Sequence, residues 1–529
     1  MTELRIETAD AGFYRGFSHH VTITSKLLVF ALVLWAVAFP EQASAILKGL
    51  NRLILGAFAT WYMAALAVFL LASIVLAIWP RAAKLRLGKE SDRPEFSRFS
   101  WFSMMFGAGI GMGMLTYAAA EPIAHVQNSP EIIRGLEAAN SVGAARAAMK
   151  WSFFHWGFSA WAAYGVCGLT LAFFAHRRGL PLTIRSSLAA LFGERLSGKL
   201  GHTFDVVAVV ATVLGVAQTL GYGVEQFVAG LGRLGLGNWL LVSGADGTSS
   251  ASPIAIIVSL TVIVGASTAS ALSGVGRGIK WLSNLNLGLS FFLLAFFVLF
   301  GSTAFALRSF ALGMWDYVSA LPFIMVEVYS EQEGAAAQWQ GAWTIFYWAW
   351  WISFAPFVGL FLARISKGRT IREFILGAIL APSAMCFVWF ALVGGTAIDL
   401  ELTGQAAGAI FSTGLSDQLY AVLGVLSGGF VTVFLYAVVV VLLLTYLVTS
   451  ADSAILIINT INAAGDEGPK ARPHILFWGA AFGFVVGTLL LAGGLEAIQT
   501  AMVIGALPFS FVMVLMVASL FRAISREAS

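Results

Sequence analysis

The sequence predicts an all-α membrane protein with twelve transmembrane helices. Of its 529 residues, 59% are apolar and only 11% are charged, a composition that excludes a water-soluble globular domain. Apolar stretches of the length needed to cross a bilayer core, about 20 residues, recur from about residue 25 to about residue 521. Basic residues gather in every second connection between these stretches. The membrane therefore holds nearly the whole chain.

Short connections separate the predicted spans. The spans lie near residues 25–46, 58–79, 100–124, 150–175, 203–232, 253–271, 286–307, 342–366, 371–396, 419–449, 474–494 and 497–521. Many basic residues lie in the connections at 81–98 and 177–199, after the second and fourth spans. By the positive-inside rule, these connections and both termini face the cytoplasm. The net charge of +4 therefore reports orientation, and we expect no nucleic-acid partner.

Little of the sequence lies outside these spans. Residues 1–24 carry charges of both signs before an apolar run too long for a signal peptide, so we expect a cytoplasmic tail. Cys167 and Cys386 each lie inside an apolar run, which predicts buried core residues without a disulfide or a metal cluster. The acidic, aromatic segment 308–341 is expected to form an external helix along the membrane interface, although an ordinary connecting loop also fits it.

The third span contains four glycines at alternate positions, Gly107, Gly109, Gly111 and Gly113. Each glycine destabilises a helix interior by about 1 kcal/mol relative to alanine, which favours a break in the helix. Unwound backbone at membrane depth is tolerated where it is buried or lines a cavity, and its free N–H groups can bind a carboxylate. Close helix packing through small residues explains the same spacing equally well.

Aromatic residues gather in the fourth and eighth spans. Trp156, Trp161 and Tyr164 lie too deep for an interfacial belt and share roughly one helical face. Trp350 and Trp351 lie about a third of the way into the eighth span. Aromatic cages bind quaternary ammonium groups by cation–π attraction. Such a cage needs no buried carboxylate, which suits a membrane interior that is almost empty of Asp and Glu.

The tenth span is predicted to end in a polar stretch that contains Tyr446, Thr449, Ser450 and Asp452. Hydroxyl groups beside an intramembrane carboxylate can supply oxygen ligands for a small cation. Alternatively, the hydroxyls bond to carbonyls of their own helix and Asp452 caps its cytoplasmic end. In the fourth span, His155 is expected to be a packing residue and not a proton relay, because no carboxylate lies near it in the sequence.

Five stretches of the sequence together resemble one family over nearly the full length of the chain. The most specific stretch starts at Trp343 and reads WTIFYWAWWISFAPFVGLFLARISKGRTIREF. The others are AGIGMGMLTYAAAEP, FHWGFSAWAAY, SGVGRGIKWLSNLN and TSADSA, and all agree in order and spacing. The chain is similar in these stretches to the betaine/carnitine/choline transporter family. The resemblance implies a leucine-transporter-like fold, with a five-plus-five inverted repeat after two extra N-terminal helices.

This resemblance also implies a division of the chain and a location. We expect a bacterial cytoplasmic (inner) membrane protein in contact with membrane lipid, and a homotrimer. The implied segments are an N-terminal tail (1–24), two extra helices with a basic loop (25–99), the first repeat (100–307), the external segment (308–341), the second repeat (342–521) and a short C-terminal tail (522–529).

The family's substrate site can be transferred position by position. The glycine stretch from Gly109 to Gly113 corresponds to an unwound segment that contacts substrate. Relatives that carry choline tend to have Asp at the last of these positions, so Gly113 favours a substrate with its own carboxylate. The aromatic box falls on Trp156, Trp161, Tyr164, Trp350, Trp351 and Phe354. Phe354 replaces the last tryptophan of the box, which removes one indole N–H donor.

Two sodium sites are implied in the same way, with sodium as the coupling ion. The second site falls on the backbone carbonyls of Gly107, Ile110 and Tyr446 and the hydroxyls of Thr449 and Ser450. The first site falls on Thr212, Val216 and Phe357, with Gln218 and Thr219 close by. Because Val216 places an alkyl group where the family has a hydroxyl, the first sodium site is less secure than the second.

The expected function is sodium-coupled symport of a betaine-like zwitterion, and both glycine betaine and dimethylsulfoniopropionate fit. The alternatives are a sodium-independent carnitine/betaine exchanger and a choline transporter. We expect no enzyme and no catalytic residues, because HExxH, GxSxG and paired His/Cys ligands are missing from the sequence. A channel is disfavoured because no ring-forming selectivity sequence is visible.

Overall fold

The structure, a computed structural model, describes residues 4–109, 111–243, 249–273, 278–468 and 470–528. The described chain is almost entirely helical. Its helices are α1 (His19–Ala38), α2 (Pro40–Ile78), α3 (Arg98–Gly109), α4 (Gly111–Gln127), α5 (Pro130–Ile133), α6 (Val142–Trp156), α7 (Phe158–Ala172), α8 (Ala189–Phe192), α9 (Lys199–Arg233), α10 (Pro253–Ser273), α11 (Gly278–Phe300), α12 (Thr303–Ile324), α13 (Ala335–Gln340), α14 (Phe346–Ile365), α15 (Ile371–Trp389), α16 (Gly395–Leu402), α17 (Gln418–Leu426), α18 (Gly429–Asn462) and α19 (Arg472–Ala528). Two short strands, β1 (Leu241–Ser243) and β2 (Ser249–Ala251), pair in antiparallel fashion.

Ten helical stretches of the described chain have the length and apolar composition to cross a membrane. The last of these holds two predicted spans, because Gly493 (φ −165°, ψ 21°) and Gly494 (φ 65°, ψ −156°) interrupt its helical geometry. The third predicted span corresponds to α3 and α4, and residue 110 between them lies outside the described residues. The predicted fold class, an all-α multi-span membrane protein, is confirmed. Cys167 and Cys386 are buried, as predicted.

The boundary between the first two predicted spans is wrong. The first span was expected at 25–46, but α1 ends at Ala38 and α2 begins at Pro40. Phe39 between them departs from helical geometry (φ −138°, ψ 61°), and proline suits a first helical position because it has no N–H to leave unsatisfied. The first turns of α2 contain several polar residues, so hydropathy alone did not place the start of this helix at Pro40.

The tenth predicted span, at 419–449, is wrong at both ends. A break at residues 427–428 separates α17 from α18, and α18 continues to Asn462. The stretch from Tyr446 to Asp452 therefore lies in the middle of a helix. Asp452 is fully buried there and cannot cap a helix end.

The fourth predicted span is two helices joined at Gly157. Helix α6 begins at Val142, where Ser141 caps it by accepting a hydrogen bond from the Ala144 N–H at 3.0 Å. Gly157 has non-helical angles (φ −95°, ψ −139°), and α7 starts at the next residue. A side chain at Gly157 would collide with the Phe153 carbonyl and the Phe387 ring, so glycine is required at this junction.

The segment 308–341, expected to be an external helix or a loop, contains most of α12, which begins at Thr303 inside the seventh predicted span, and all of α13. Helix α12 packs against α6, and Arg146 on α6 donates two hydrogen bonds to the Asp316 carboxylate, at 3.0 and 2.7 Å. Its position along the membrane interface stays a prediction.

The interior of the protein is organised around α14. This helix packs against α7, α9 and α19, while α4 packs against α6 and α9. Tyr347 and Trp348 near the start of α14 are fully buried. The packing brings the aromatic residues of the fourth and eighth predicted spans next to the glycine-rich third span.

Candidate functional site

The rings of α6 and α14 meet in the middle of this core. The Trp156 and Trp351 ring centroids lie 5.0 Å apart at an interplanar angle of 73°. Trp350 stacks on Trp351 at 5.3 Å and 11°. These three rings, predicted as part of one cage, are in direct contact and almost completely buried.

Helix α7 completes the group. Tyr164 lies 5.4 Å from Trp161, 6.0 Å from Trp351 and 6.4 Å from Phe354, measured between ring centroids. All six predicted box residues thus belong to one continuous cluster of rings, which we call the aromatic box. The Tyr164 hydroxyl is buried and has no hydrogen-bond partner among the described residues.

The rings fill the interior of the aromatic box in this conformation. A cation bound by a ring face lies within about 6 Å of the ring centroid. A head group held between Trp156 and Trp351 therefore requires a separation much larger than their 5.0 Å. Binding between these rings must be accompanied by movement of at least one of them.

Two of the predicted glycines allow the close approach of these elements. A methyl group at Gly113 would lie 2.7 Å from the Trp156 ring and 3.8 Å from the Trp350 ring. A methyl group at Gly111 would overlap the Tyr446 ring of α18. Both glycines are helical, as the close-packing alternative requires. The segment from Gly109 to Gly113 that was predicted to be unwound is therefore helical at Gly111 and Gly113, and Ile110 within it lies outside the described residues.

The predicted second sodium site is partly assembled. The Thr449 hydroxyl donates to the Thr445 and Tyr446 carbonyls at 3.0 and 3.1 Å, and it accepts from the Asn286 amide at 3.3 Å. Two predicted ligand oxygens, the Tyr446 carbonyl and the Thr449 hydroxyl, are thus neighbours. Gly107 lies in α3 and Ser450 is half-buried in α18.

Asp452 lies one turn beyond these groups. Its carboxylate accepts hydrogen bonds from Ser270 of α10 at 2.6 Å and from Ser453 at 3.0 Å. The interpretation of Asp452 as a helix cap is wrong, because α18 continues for ten further residues to Asn462. Its role is to join α18 to α10.

At the predicted first sodium site, the described side chains face different partners. The Thr212 hydroxyl donates to the Ala208 carbonyl of its own helix at 2.8 Å. Val216 and Phe357 are buried on α9 and α14, which approach closely where Gly215 faces Ser353. Buried Gln218 interacts with the Tyr222 hydroxyl one turn along α9, whereas Val216 offers no oxygen.

The sequence interpretation missed the most highly connected polar group of the site, Glu121 of α4. Its Oε2 accepts from the Trp156 indole at 2.7 Å and from the Tyr347 hydroxyl at 2.5 Å. Its Oε1 lies 2.6 Å from His155 Nδ1 and 3.2 Å from His125 Nε2. Glu121, His125 and His155 are fully buried. A carboxylate therefore contacts the aromatic box, contrary to the expectation that the cage needs none.

This carboxylate also changes the interpretation of His155. His155 is buried in packed surroundings, as expected, but it faces a carboxylate that lies 34 residues away in the sequence. Its other ring nitrogen lies 3.0 Å from the Thr344 hydroxyl, and its carbonyl accepts from the Trp351 indole at 2.9 Å. An acidic residue inside a predicted span is itself a signal of function. That signal was present at Glu121 in the sequence.

A supporting layer lies on the outer side of His155, where α5 meets α6. The Trp151 ring lies 6.1 Å from the His155 ring, and its indole donates to Glu131 at 2.9 Å. Lys150 pairs with the same carboxylate. Burial raises the pKa of the Glu131 carboxyl, but the charge and hydrogen bond of Lys150 and the Trp151 N–H outweigh it and leave this pKa below its ordinary value.

Comparison with known proteins agrees with this arrangement. Residues 20–529 match the model of the BCCT family, described as betaine/carnitine/choline family transporter. The chain is 36% identical to the glycine betaine transporter OpuD of Bacillus subtilis, over 94% of this chain and 92% of that protein. It is 34% identical to a probable glycine betaine transporter of Desulfitobacterium hafniense, over 96% and 97% of the two chains.

A relative named for another substrate has the same identity over a smaller share of its length. The chain is 36% identical to the high-affinity choline transport protein of Escherichia coli K12, over 88% of this chain and 66% of that protein. The match extends along nearly the whole chain and includes every helix that contributes to the aromatic box. The chain belongs to the betaine/carnitine/choline transporter family and is a multi-pass membrane transporter, not an enzyme.

Proposed function

We propose that the protein is a sodium-coupled symporter of a betaine-like zwitterion, with glycine betaine or dimethylsulfoniopropionate as substrate. The single observation that carries this proposal is the aromatic box, in which six side chains from α6, α7 and α14 form one buried cluster. Cation–π attraction to such rings does not require a hydrogen-bond donor on the substrate, so methylated ammonium and methylated sulfonium are both suitable.

Polar groups around the box support a zwitterionic substrate over a simple cation. The Tyr164 hydroxyl is buried without a partner among the described residues, and buried polar groups are normally hydrogen-bonded. Gln218 lies one turn before Tyr222, whose ring stacks on Trp350 at 6.4 Å and 24°. A substrate carboxylate would satisfy the Tyr164 hydroxyl. The two relatives named as glycine betaine transporters favour the same substrate class.

Sodium coupling is supported by the oxygens of α18. The Tyr446 carbonyl and Thr449 hydroxyl are adjacent, and Gly111 of the glycine-rich span packs directly on the Tyr446 ring. Hydroxyl and carbonyl oxygens are suitable ligands for a small hard cation. We expect one sodium ion at this site, since Val216 weakens the first site.

The cellular arrangement is also proposed. Both termini would lie in the cytoplasm of a bacterial inner-membrane homotrimer, with the two repeats moving around the aromatic box during transport. The second candidate function is choline transport, which the relative from Escherichia coli favours. Against choline transport, choline has no carboxylate of its own, and Gly113 provides none at the position where choline-carrying relatives tend to have Asp.

Uptake into proteoliposomes tests the proposal. Labelled glycine betaine, dimethylsulfoniopropionate, choline and carnitine are each supplied with an inward sodium gradient and with potassium in its place. Accumulation of a betaine only with sodium is the expected result. Uptake that requires preloaded internal substrate but no sodium indicates an exchanger, and uptake of choline alone contradicts the zwitterion assignment.

A further inference from the structure

We propose that Glu121 supplies the countercharge that makes the aromatic box select a cationic head group. This inference rests on the proposed function, since it concerns the same box. Glu121 lies outside the set of rings, and none of the six predicted box residues carries a charge. Glu121 is hydrogen-bonded to several side chains, forms no ion pair with a lysine or arginine among the described residues, and contacts the box through Trp156.

Four donors surround the Glu121 carboxylate. The Trp156 indole, which can only donate, and the Tyr347 hydroxyl bond to Oε2, while His155 Nδ1 and His125 Nε2 lie against Oε1. Hydrogen bonds from neutral donors stabilise the ionised form of a carboxylate. These hydrogen bonds favour the ionised form against the cost of burying it, and a cationic head group in the box would favour it further.

Within the described residues, no lysine or arginine forms an ion pair with Glu121. Lys150, the basic residue of α6 that precedes His155 in the sequence, pairs with Glu131 instead. The titratable groups that face the cluster are His125 and Tyr117 of α4, His155 of α6 and Tyr347 of α14. With both histidines neutral, the cluster carries one negative charge, and one added proton removes it.

The charge is connected to the aromatic box by the donors themselves. Trp156 bonds to Glu121 through its indole nitrogen, and its ring packs against Trp351 at 5.0 Å. Tyr347 bonds to the same oxygen, and its ring stacks on Trp350 and Trp351 at 6.3 and 5.5 Å. One aromatic ring, that of Trp156 or Tyr347, therefore lies between the carboxylate and a head group held in the box.

At that separation the effect on binding is appreciable. Opposite charges one ring apart in a protein interior attract by enough to change an affinity about tenfold, even at an effective dielectric constant of about 20. An onium head group gains this attraction, whereas an uncharged group of the same shape does not. Protonation of the group formed by Glu121, His125 and His155 therefore lowers the affinity for an onium head group. A bound onium head group in turn disfavours this protonation.

Two ligands whose head groups have the same shape but different charge test this proposal. The first ligand is glycine betaine, and the second is its tert-butyl analogue, in which a carbon atom replaces the nitrogen. Binding of each to the purified full-length protein is measured by intrinsic tryptophan fluorescence and by competition with labelled glycine betaine. In Glu121→Gln, the preference for glycine betaine over the analogue is expected to fall about tenfold, with the affinity for the analogue nearly unchanged.

A positioning role of Glu121 predicts a different result. Tyr347→Phe keeps the aromatic ring, the carboxylate and all six rings of the box but removes the hydroxyl donor to Glu121 Oε2, so it loosens the carboxylate without removing the charge. We expect this variant to weaken both ligands and to keep their ratio. An equal loss of both ligands in Glu121→Gln, with the ratio unchanged, overturns the countercharge and leaves a positioning role.

The native protein gives a second test that does not depend on folding of the variant. As the pH is lowered, the affinity for glycine betaine should fall relative to that for its tert-butyl analogue. Parallel pH profiles for the two ligands overturn the inference. No binding of any onium compound by the native protein contradicts the proposed function and this inference with it.

Discussion

The aromatic box and the predicted sodium region differ in where their polar groups bond. Around the box, the polar bonds join different helices: Glu121 of α4 bonds to side chains of α6 and α14. In the sodium region, the Thr449 and Thr212 hydroxyls donate to carbonyls of their own helices. The polar bonds of the box therefore join different helices, whereas the two threonine hydroxyls of the predicted cation sites donate within their own helices.

This difference indicates which of the two regions must rearrange when its ligand binds. A threonine hydroxyl that donates to its own helix still presents lone pairs, so a cation can bind without breaking that bond. The rings of the box, in contrast, occupy the space between one another and must separate. We expect sodium binding to cost little rearrangement and substrate binding to require more.

The largest effect is expected from Trp351→Ala. This ring contacts Trp156, Trp350 and Tyr164, and its loss removes both cation–π surface and packing, so uptake should fall about 100-fold or more. Labelled uptake is compared at equal amounts of protein, with size-exclusion profiles as the folding control. Trp315→Ala, at an exposed position of α12, should transport normally. Full uptake by the Trp351 variant would remove the cage from the proposal.

A smaller effect is expected from Gly113→Ala, which tests how tightly the box is packed. The added methyl would lie 2.7 Å from the Trp156 ring, so the ring must shift and substrate affinity should fall about tenfold. The control is Gly49→Ala in α2, where nothing lies within 4 Å and alanine should stabilise the helix by up to about 1 kcal/mol. Equal affinities in the two variants would show that the contact with Trp156 is not important for binding.

Thr449→Val tests the sodium region. Loss of one oxygen ligand should raise the sodium concentration for half-maximal uptake about tenfold, with the maximal rate less affected. Thr445→Val is a matched control, because its hydroxyl donates to carbonyls of the same helix one turn earlier, at 2.8 and 3.1 Å. If both variants respond alike, the effect arises from the helix and not from a sodium site.

The smallest effect is expected from Glu131→Gln in the supporting layer. Its pKa is below the ordinary value, so its pairing with Lys150 stabilises the fold above the unfolded pKa of about 4.3 and is lost as the pH falls through the lower folded pKa. We expect a loss of about 1 kcal/mol at neutral pH that disappears in acid. Thermal unfolding in detergent measures it, with exposed Glu137→Gln as the control. A constant difference at all pH values would contradict the pairing.

The sequence was informative about rings and much less so about their polar partners. Large aromatic residues deep in two spans were visible as a pattern, and all six predicted box residues meet in the structure. Three partners of Glu121 lie 34, 35 and 226 residues away, and only His125 lies near it in the sequence, four residues along the same helix. Contacts of this kind depend on helix packing and leave no local periodicity.

Helix ends were the other weak point. Hydropathy located the spans, but it gave no indication that α18 continues to Asn462, because the polar stretch around Asp452 resembles a connection. Only the packing of α18 on α10, with Ser270 bonded to Asp452, explains why that stretch is buried.

The junction at Gly157 has a consequence for substrate choice. It divides the box between two helices, with Trp156 bonded to α4 on one side and Trp161 and Tyr164 on α7 on the other. A change in the angle between α6 and α7 alters the internal width of the box while the Glu121 hydrogen bonds stay intact. For the proposed substrates, this angle would decide whether trimethylammonium or the smaller dimethylsulfonium fits the box better.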